Sequence, residues 1–140
     1  MYPRLLVTDA DPYMREIYRL YFPHFGFDVA TASGGLDCLA EMREFHPDAL
    51  ILDLDLLWGG ADGVLAALQE SREDPPLPVV LTTKWLRLGY PRKYLAPPVV
   101  NVLEKPFRLR DLRSVVEAVL SVTPPLPAWL DIHGGLAGAR

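Results

Sequence analysis

Four aspartates, two threonines and a lysine stand where apolar runs of this chain end. Asp9 and Asp11 follow Arg4–Thr8, and Asp53 and Asp55 close the run that begins at Ala49. Thr82 and Thr83 close the run from Val79, and Lys105 comes just after Val99–Leu103. A carboxylate at the end of a buried run costs desolvation energy unless a cation or hydrogen-bond donors meet it. Clustered carboxylates also raise one another's pKa until a hard cation binds, and oxygen ligands that leave room for several waters suit Mg²⁺. A lysine is a compact cation for a phosphate oxygen, and a threonine hydroxyl can donate to another. Together the residue types suit a divalent metal and a phosphoryl group.

The elements that must bring these ends together can be read from the runs. Ala49–Leu52 is a short apolar run bounded by turn residues, the pattern of a parallel strand buried on both faces. Arg4–Thr8, Phe27–Ala32, Val79–Thr82 and Val99–Leu103 read as four more strands. Asp11-Pro12 starts a helix, with Asp11 as cap and Pro12 in its first turn, and Met14, Ile17, Tyr18 and Tyr21 fall on one face. Pro23 and Gly26 end it. Ser33-Gly34-Gly35 opens a second helix with Leu36, Leu39 and Ala40 directed inward, closed by His46-Pro47. Asp62-Gly63 starts a third, with Asp62 as its cap, running to about Ser71. Arg108–Ser121 carries the clearest helical stripe, from Leu109 to Leu120. Between Lys84 and Pro97 the glycine and prolines leave room for a helical turn at most. Strands alternating with helices of this length imply a doubly wound, five-stranded parallel sheet with helices on both faces. In such sheets ligands bind at the carboxyl ends of the strands, where the seven polar residues stand.

Composition narrows the class. At 140 residues the chain is one domain able to bury a real core, and its apolar runs are too short to span a bilayer. There is no signal-peptide pattern, so a cytoplasmic location is expected and no membrane partner. Cys38 is the only cysteine, which excludes an internal disulfide and a cysteine-built zinc site, and it reads as core. A formal charge of −4 argues against nucleic acid as the main partner. Lys84, Arg87, Arg92 and Lys93, interleaved with Trp85, Tyr90 and Tyr94, read as an amphipathic loop rather than a nucleic-acid surface. Fourteen prolines crowd into Pro75–Pro78, Pro91–Pro98 and Pro124–Pro127.

From about Arg4 to Val122 the sequence resembles the receiver domain of two-component response regulators. The pieces that carry the resemblance are LLVTDADPYMRE, PDALILDLDL with the later Asp62-Gly63, VVLTT and LEKPF, in the family's order. The resemblance implies a flavodoxin-like sheet of order 2-1-3-4-5, its fourth helix short or irregular here, over residues 1–122, with 123–140 a Pro/Gly-rich tail. It implies that Asp53 is the phosphoacceptor and that Asp9, Asp53 and the backbone carbonyl of Asp55 hold Mg²⁺, with Asp11 a further candidate. Lys105 would contact the phosphoryl group, as would Thr82 or, alternatively, Thr83. The donor would be a histidine kinase or histidine phosphotransfer protein, the output a contact with a downstream protein, and the chain a signalling module rather than an enzyme.

Four departures bear on that expectation. Ala10 replaces the family's second acidic ligand, so Mg²⁺ should bind weakly unless Asp11 or Asp55 compensates. Asp62 follows Asp53 by nine residues where seven is usual, and Leu57-Trp58-Gly59-Gly60 replaces a proline turn. Val102 stands where the family has a mobile aromatic ring. Counting back the family's 22 residues from Lys105 gives Thr83, whereas the Leu-Thr-small pattern favours Thr82.

Two other readings compete. The chain could be a degenerate receiver, never phosphorylated, that acts as a protein-binding module; Ala10 and Val102 favour it, and Mg²⁺ titration separates the two. A small phosphatase of the haloacid-dehalogenase kind is the third, because Asp9-Ala10-Asp11 after LLVT resembles that family's nucleophile motif. It leaves Asp53 unexplained. The tail, with Trp129 and Leu130 as a docking patch, is not an output domain.

Overall fold

The computed structural model describes residues 2–86, 89 and 92–121. The tail with Trp129 and Leu130, and Arg87 and Tyr90 of the basic and aromatic loop, lie outside the described residues. Five parallel strands, β1 (Arg4–Thr8), β2 (Asp28–Ala32), β3 (Ala49–Asp53), β4 (Val79–Thr83) and β5 (Val99–Glu104), form one sheet in the order β2-β1-β3-β4-β5. Helices α1 (Pro12–Tyr21), α2 (Gly35–Phe45), α3 (Gly60–Glu70) and α4 (Leu109–Ser121) cover it. This is the flavodoxin-like order. In the crossover from β4 to β5, where a helical turn at most is expected, the described residues include a 3₁₀ turn, Arg92–Leu95. Among the described residues no helix is long and apolar enough to cross a membrane.

Alternation along the strands divides the core. Leu6, Leu50, Leu52, Val79 and Leu81 pack with Cys38, Val64 and Leu65 beneath α2 and α3. Leu5, Val7, Ala49, Ile51 and Val80 pack with Tyr18, Phe22, Leu112 and Val116 beneath α1 and α4. Every residue of β3 and β4 is buried, as expected of central strands covered on both faces.

The phase of α2 differs from the sequence reading. Leu36 is 86% exposed and Ala40 also faces solvent, while Cys38, Leu39, Met42 and Phe45 turn to the core. The cause lies at the amino terminus, where α2 meets α3 backbone to backbone. A Cβ on Gly35 would come within 2.8 Å of both Cα and carbonyl oxygen of Gly60. That contact fixes the rotation of α2 and turns Leu36 outward. Ile17 in α1 is likewise exposed, because the sheet-facing line of that helix is Met14, Tyr18 and Tyr21. Asp62 is not the cap of α3. The helix begins two residues earlier, behind Gly59, and Asp62 lies in its first turn, where a carboxylate favours the helix dipole.

Candidate functional site

β1 and β3 are neighbours in the sheet, so Asp9 and Asp53 emerge side by side at its carboxyl edge. Both are buried. The two are held in the same way. One oxygen of each accepts the backbone N–H two residues on: Asp11 N–H donates to Asp9 Oδ1 at 2.9 Å, and Asp55 N–H donates to Asp53 Oδ1 at 2.9 Å. Such Asx turns end a strand and fix the carboxylate at once. The other oxygen of each accepts from Lys105, whose Nζ lies 3.1 Å from Asp9 Oδ2 and 3.1 Å from Asp53 Oδ2. Lys105 arrives from β5, and its N–H donates to the Thr83 carbonyl at 2.7 Å.

Burial raises the pKa of Asp53; the Asp55 N–H and the Lys105 charge pull it down without cancelling the rise. For Lys105, burial alone would lower the ammonium, but the charges of Asp53 and Asp9 and the hydrogen bonds to both hold it above its ordinary value. The three groups therefore form a buried cluster in which the lysine offsets two acids.

The threonines separate cleanly. β5 carries an extra residue: Val79 pairs with Val99, but Val80 pairs with Asn101, which bulges Val100 out. That bulge accounts for a count of 23 rather than 22 between Thr82 and Lys105. In register Thr82 lies opposite Asp53, and it shares the sheet face of Val80 and Ile51 with Asp53. Its Oγ1 is buried without a hydrogen-bond partner. Thr83 points the other way and is fully engaged: it donates to Asp55 Oδ1 at 3.0 Å and accepts from Trp85 N–H at 3.1 Å.

The remaining acids are also committed. Asp11 caps α1 by accepting Tyr13 N–H at 2.9 Å. Asp55 accepts from Thr83 and, through Oδ2, from Lys84 N–H at 2.9 Å. Arg15 donates to the carbonyls of Asp9 and Ala10 at 2.8 and 3.0 Å, pinning the turn after β1.

Above these groups opens a cavity of about 410 Å³ whose wall includes Ala10, Asp11, Asp55, Met14, Lys84 and Phe107. Lys84 was not singled out for the site from sequence, although its place directly after β4 is the signal that could have found it. Asp9, Asp53 and Lys105 are thus brought together, Asp11 and Asp55 stand at the rim, and Thr82 lies below it.

The donor set fits a hard cation that keeps much of its water: two carboxylates face an open cavity, and Mg²⁺ is commonly held by one or two carboxylates plus waters. Among the described residues no group of three or more acidic, histidine or cysteine side chains is placed to hold a metal by itself.

A parallel sheet of order 2-1-3-4-5, with an acid pair and a lysine at its carboxyl edge, defines a flavodoxin-like domain. Residues 5–117 match the family model of the response regulator receiver domain, and the chain belongs to that family. It is 30% identical over 128 residues to the DNA-binding response regulator MtrA of Mycolicibacterium smegmatis, covering 91% of this chain and 55% of that protein. Regulatory protein AtoC of Escherichia coli is 24% identical over 134 residues, 96% of this chain and 29% of its own length. The chain therefore spans about half or less of these relatives. Among solved structures, a response regulator receiver protein from Burkholderia phymatum superposes with a TM-score of 0.70 at 27% identity, covering 89% of this chain and 99% of that one. Chemotaxis protein CheY4 of Vibrio cholerae shares the fold, with a TM-score of 0.72 at 23% identity over 86% of this chain and all of its own. None of these comparisons points to a haloacid-dehalogenase phosphatase, a reading that also leaves Asp53, buried beside Asp9 and Lys105, without a role.

Proposed function

We propose that Asp53 accepts a phosphoryl group from a phosphohistidine on a histidine kinase or phosphotransfer protein, and that residues 1–122 form the receiver unit that does so. The observation that carries this reading is the placement of Lys105 Nζ at 3.1 Å from each of two buried carboxylates. A carboxylate whose proton affinity is raised by burial is a better nucleophile once ionised, and a neighbouring ammonium compensates the charge that the phosphoryl group brings. An Asp53 oxygen attacks phosphorus, the P–O bond forms as the P–N bond to imidazole breaks, and the departing nitrogen takes a proton. Asp9, Asp53 and the Asp55 backbone carbonyl would hold Mg²⁺, which when bound supplies positive charge to the phosphoryl oxygens. Thr82 is the hydroxyl assigned to the phosphoryl group, because it shares Asp53's sheet face and has no other partner, whereas Thr83 is already engaged.

Incubation with acetyl phosphate or phosphoramidate and Mg²⁺, followed by mass mapping, tests the assignment. Modification of Asp53 alone is expected; modification of Asp9 or Asp55 in its place would remove it. A chain that takes no label at all would be a degenerate receiver, a binding module whose shape its partner fixes. Ala10 and Val102 are the observations that favour this second reading. In either case the output is a contact with a downstream protein in the cytoplasm.

A further inference from the structure

Beside the phosphoacceptor cavity lies a second one of about 480 Å³, and Ala10 lines both. Its other walls are the amino terminus of α2, with Gly34 and Leu36, and the turn before α3, with Leu57, Trp58 and Gly60. Three large apolar side chains stand in water here: Leu36 at 86%, Leu57 at 70% and Trp58 at 98% exposure. A lone exposed apolar residue needs no explanation, whereas three around one concavity mark an interaction site. Trp58 also adopts φ +61°, a left-handed conformation that a bulky residue rarely takes, and its ring stands almost wholly in solvent. The turn is anchored from below by the Gly35–Gly60 backbone contact, so the groove is pre-formed rather than a fluctuation of a free loop.

We infer that this groove seats an apolar face of the protein that delivers the phosphoryl group, with Trp58 as its anchor. The inference rests on the assignment of Asp53 as phosphoacceptor. A histidine ring must reach Asp53 through the first cavity, whose wall includes Ala10, Met14, Lys84 and Phe107, so the protein bearing it is brought beside the groove that shares Ala10. The groove matches an apolar rather than a charged face. Its acidic side chain, Asp37, is exposed but already committed, accepting from Ser33 N–H at 2.9 Å and Ser33 Oγ at 3.3 Å. Aromatic residues seated in a pocket are the usual anchors of such interfaces.

Trp58→Ser and Leu57→Ser, both at exposed positions, test the groove, with Val100→Ser at the far edge of the sheet as a control. Each is offered acetyl phosphate and, separately, the phosphorylated histidine kinases and phosphotransfer proteins of the source genome. Removal of a hot-spot anchor should raise KM for the protein donor by about ten-fold or more, while labelling by acetyl phosphate stays within about two-fold of the unaltered chain. Loss of labelling by acetyl phosphate in the unaltered chain would sink the phosphoacceptor assignment itself. Labelling by acetyl phosphate with no donor accepted, or with a donor that ignores Trp58→Ser, overturns the groove alone. A dimer in sedimentation that Trp58→Ser dissolves would give the groove to a second copy. Protection of the Leu57–Gly60 amides in the free chain, lost in Trp129→Ser, would give it to the chain's own tail. Either result overturns the proposal.

Discussion

The carboxyl edge of the sheet has two sides built to different standards. Around Asp9, Asp53 and Lys105, each side-chain oxygen and the ammonium have partners at 2.9 to 3.1 Å, supplied by three different strands and their turns. Around Thr82 and Val102 the fit is looser. The Thr82 hydroxyl has no partner, Val102 presents no ring, β5 bulges at Val100, and the described residues of the crossover before β5 form a 3₁₀ turn at Arg92–Leu95. The difference follows from what each side must do. Chemistry on a carboxylate tolerates little displacement, so its supports come from the most buried strands. A readout needs only some element with two arrangements of similar free energy, and such an element can be moved elsewhere in the fold.

The sharpest way to break this comparison is Lys105→Met. Without the ammonium, two buried carboxylates face each other uncompensated, and removing one partner of a buried pair costs about 3–5 kcal/mol. Urea denaturation at pH 7 should show a loss toward the lower end of that range, with Mg²⁺ restoring part of it. The pH dependence has a definite sign. Asp53 has a raised pKa in the folded chain, so its contribution to stability is full below the unfolded carboxylate pKa and is lost as pH rises through the folded value. The deficit of Lys105→Met should therefore shrink on acidification toward pH 4. Lys105, also raised, contributes stability that in the unaltered chain is lost only on the alkaline side. A variant as stable as the parent at pH 7 would mean that the cluster is not held as described.

Ala10→Asp sharpens the same side. Asp11 caps α1 through Oδ1 and Asp55 is engaged by Thr83 and Lys84 through both oxygens, so for either to ligate the metal in place of the missing acid it would have to turn from these roles. An added charged ligand is worth about 1–3 kcal/mol, so calorimetric Mg²⁺ titration should show affinity rising about five-fold or more. Unchanged affinity would show that one of those two acids exchanges its hydrogen bonds for the metal.

A smaller effect separates the threonines. Thr83→Val removes two hydrogen bonds, one of them to a carboxylate, and should cost about 1–2 kcal/mol in chemical denaturation. Thr82→Val replaces an unpartnered buried hydroxyl with a methyl group and should be neutral or stabilising. The reverse order would return the site hydroxyl to Thr83.

The site was legible in the sequence because strand ends are. Apolar runs mark β1, β3, β4 and β5, alternation with helices implies a parallel sheet, and the polar residues that stop each run must then converge. What stayed hidden depends on contacts between distant backbones. The rotation of α2 is set by Gly35 against Gly60, and no periodicity in Leu36, Leu39 and Ala40 reveals it. The early start of α3, which displaced Asp62 from the cap, uses the two extra residues as a turn with Trp58 and Gly59 at positive φ. The bulge at Val100 is a shift in pairing, visible only as a count that disagreed with the Leu-Thr-small pattern.

The faintest signal concerns where a response to phosphorylation travels. A ligand shifts a conformation only through interactions that differ between two states. At Val102 no ring can turn inward to follow Thr82. The Asp55 peptide offers another route. Its N–H holds Asp53 Oδ1, and its carboxylate holds Thr83 Oγ1 and Lys84 N–H. A phosphoryl group on Asp53 that disturbs the first bond therefore pulls on the segment that leaves β4. Further on, the Tyr94 hydroxyl donates to Asp62 Oδ1 at 2.7 Å, with Lys93 3.6 Å from the same carboxylate, so this segment is tied to α3 just past the Leu57–Gly60 turn. Amide hydrogen exchange with and without beryllofluoride should thus change at Leu57–Gly60 and between Lys84 and Pro97, with β5 nearly silent. Asp55→Ala should uncouple the second segment while leaving Asp53 open to the mimic. Changes concentrated at Val99–Leu103 and on α4, with both loops quiet, would show that the β5 side still carries the response and that the Asp55 link does not.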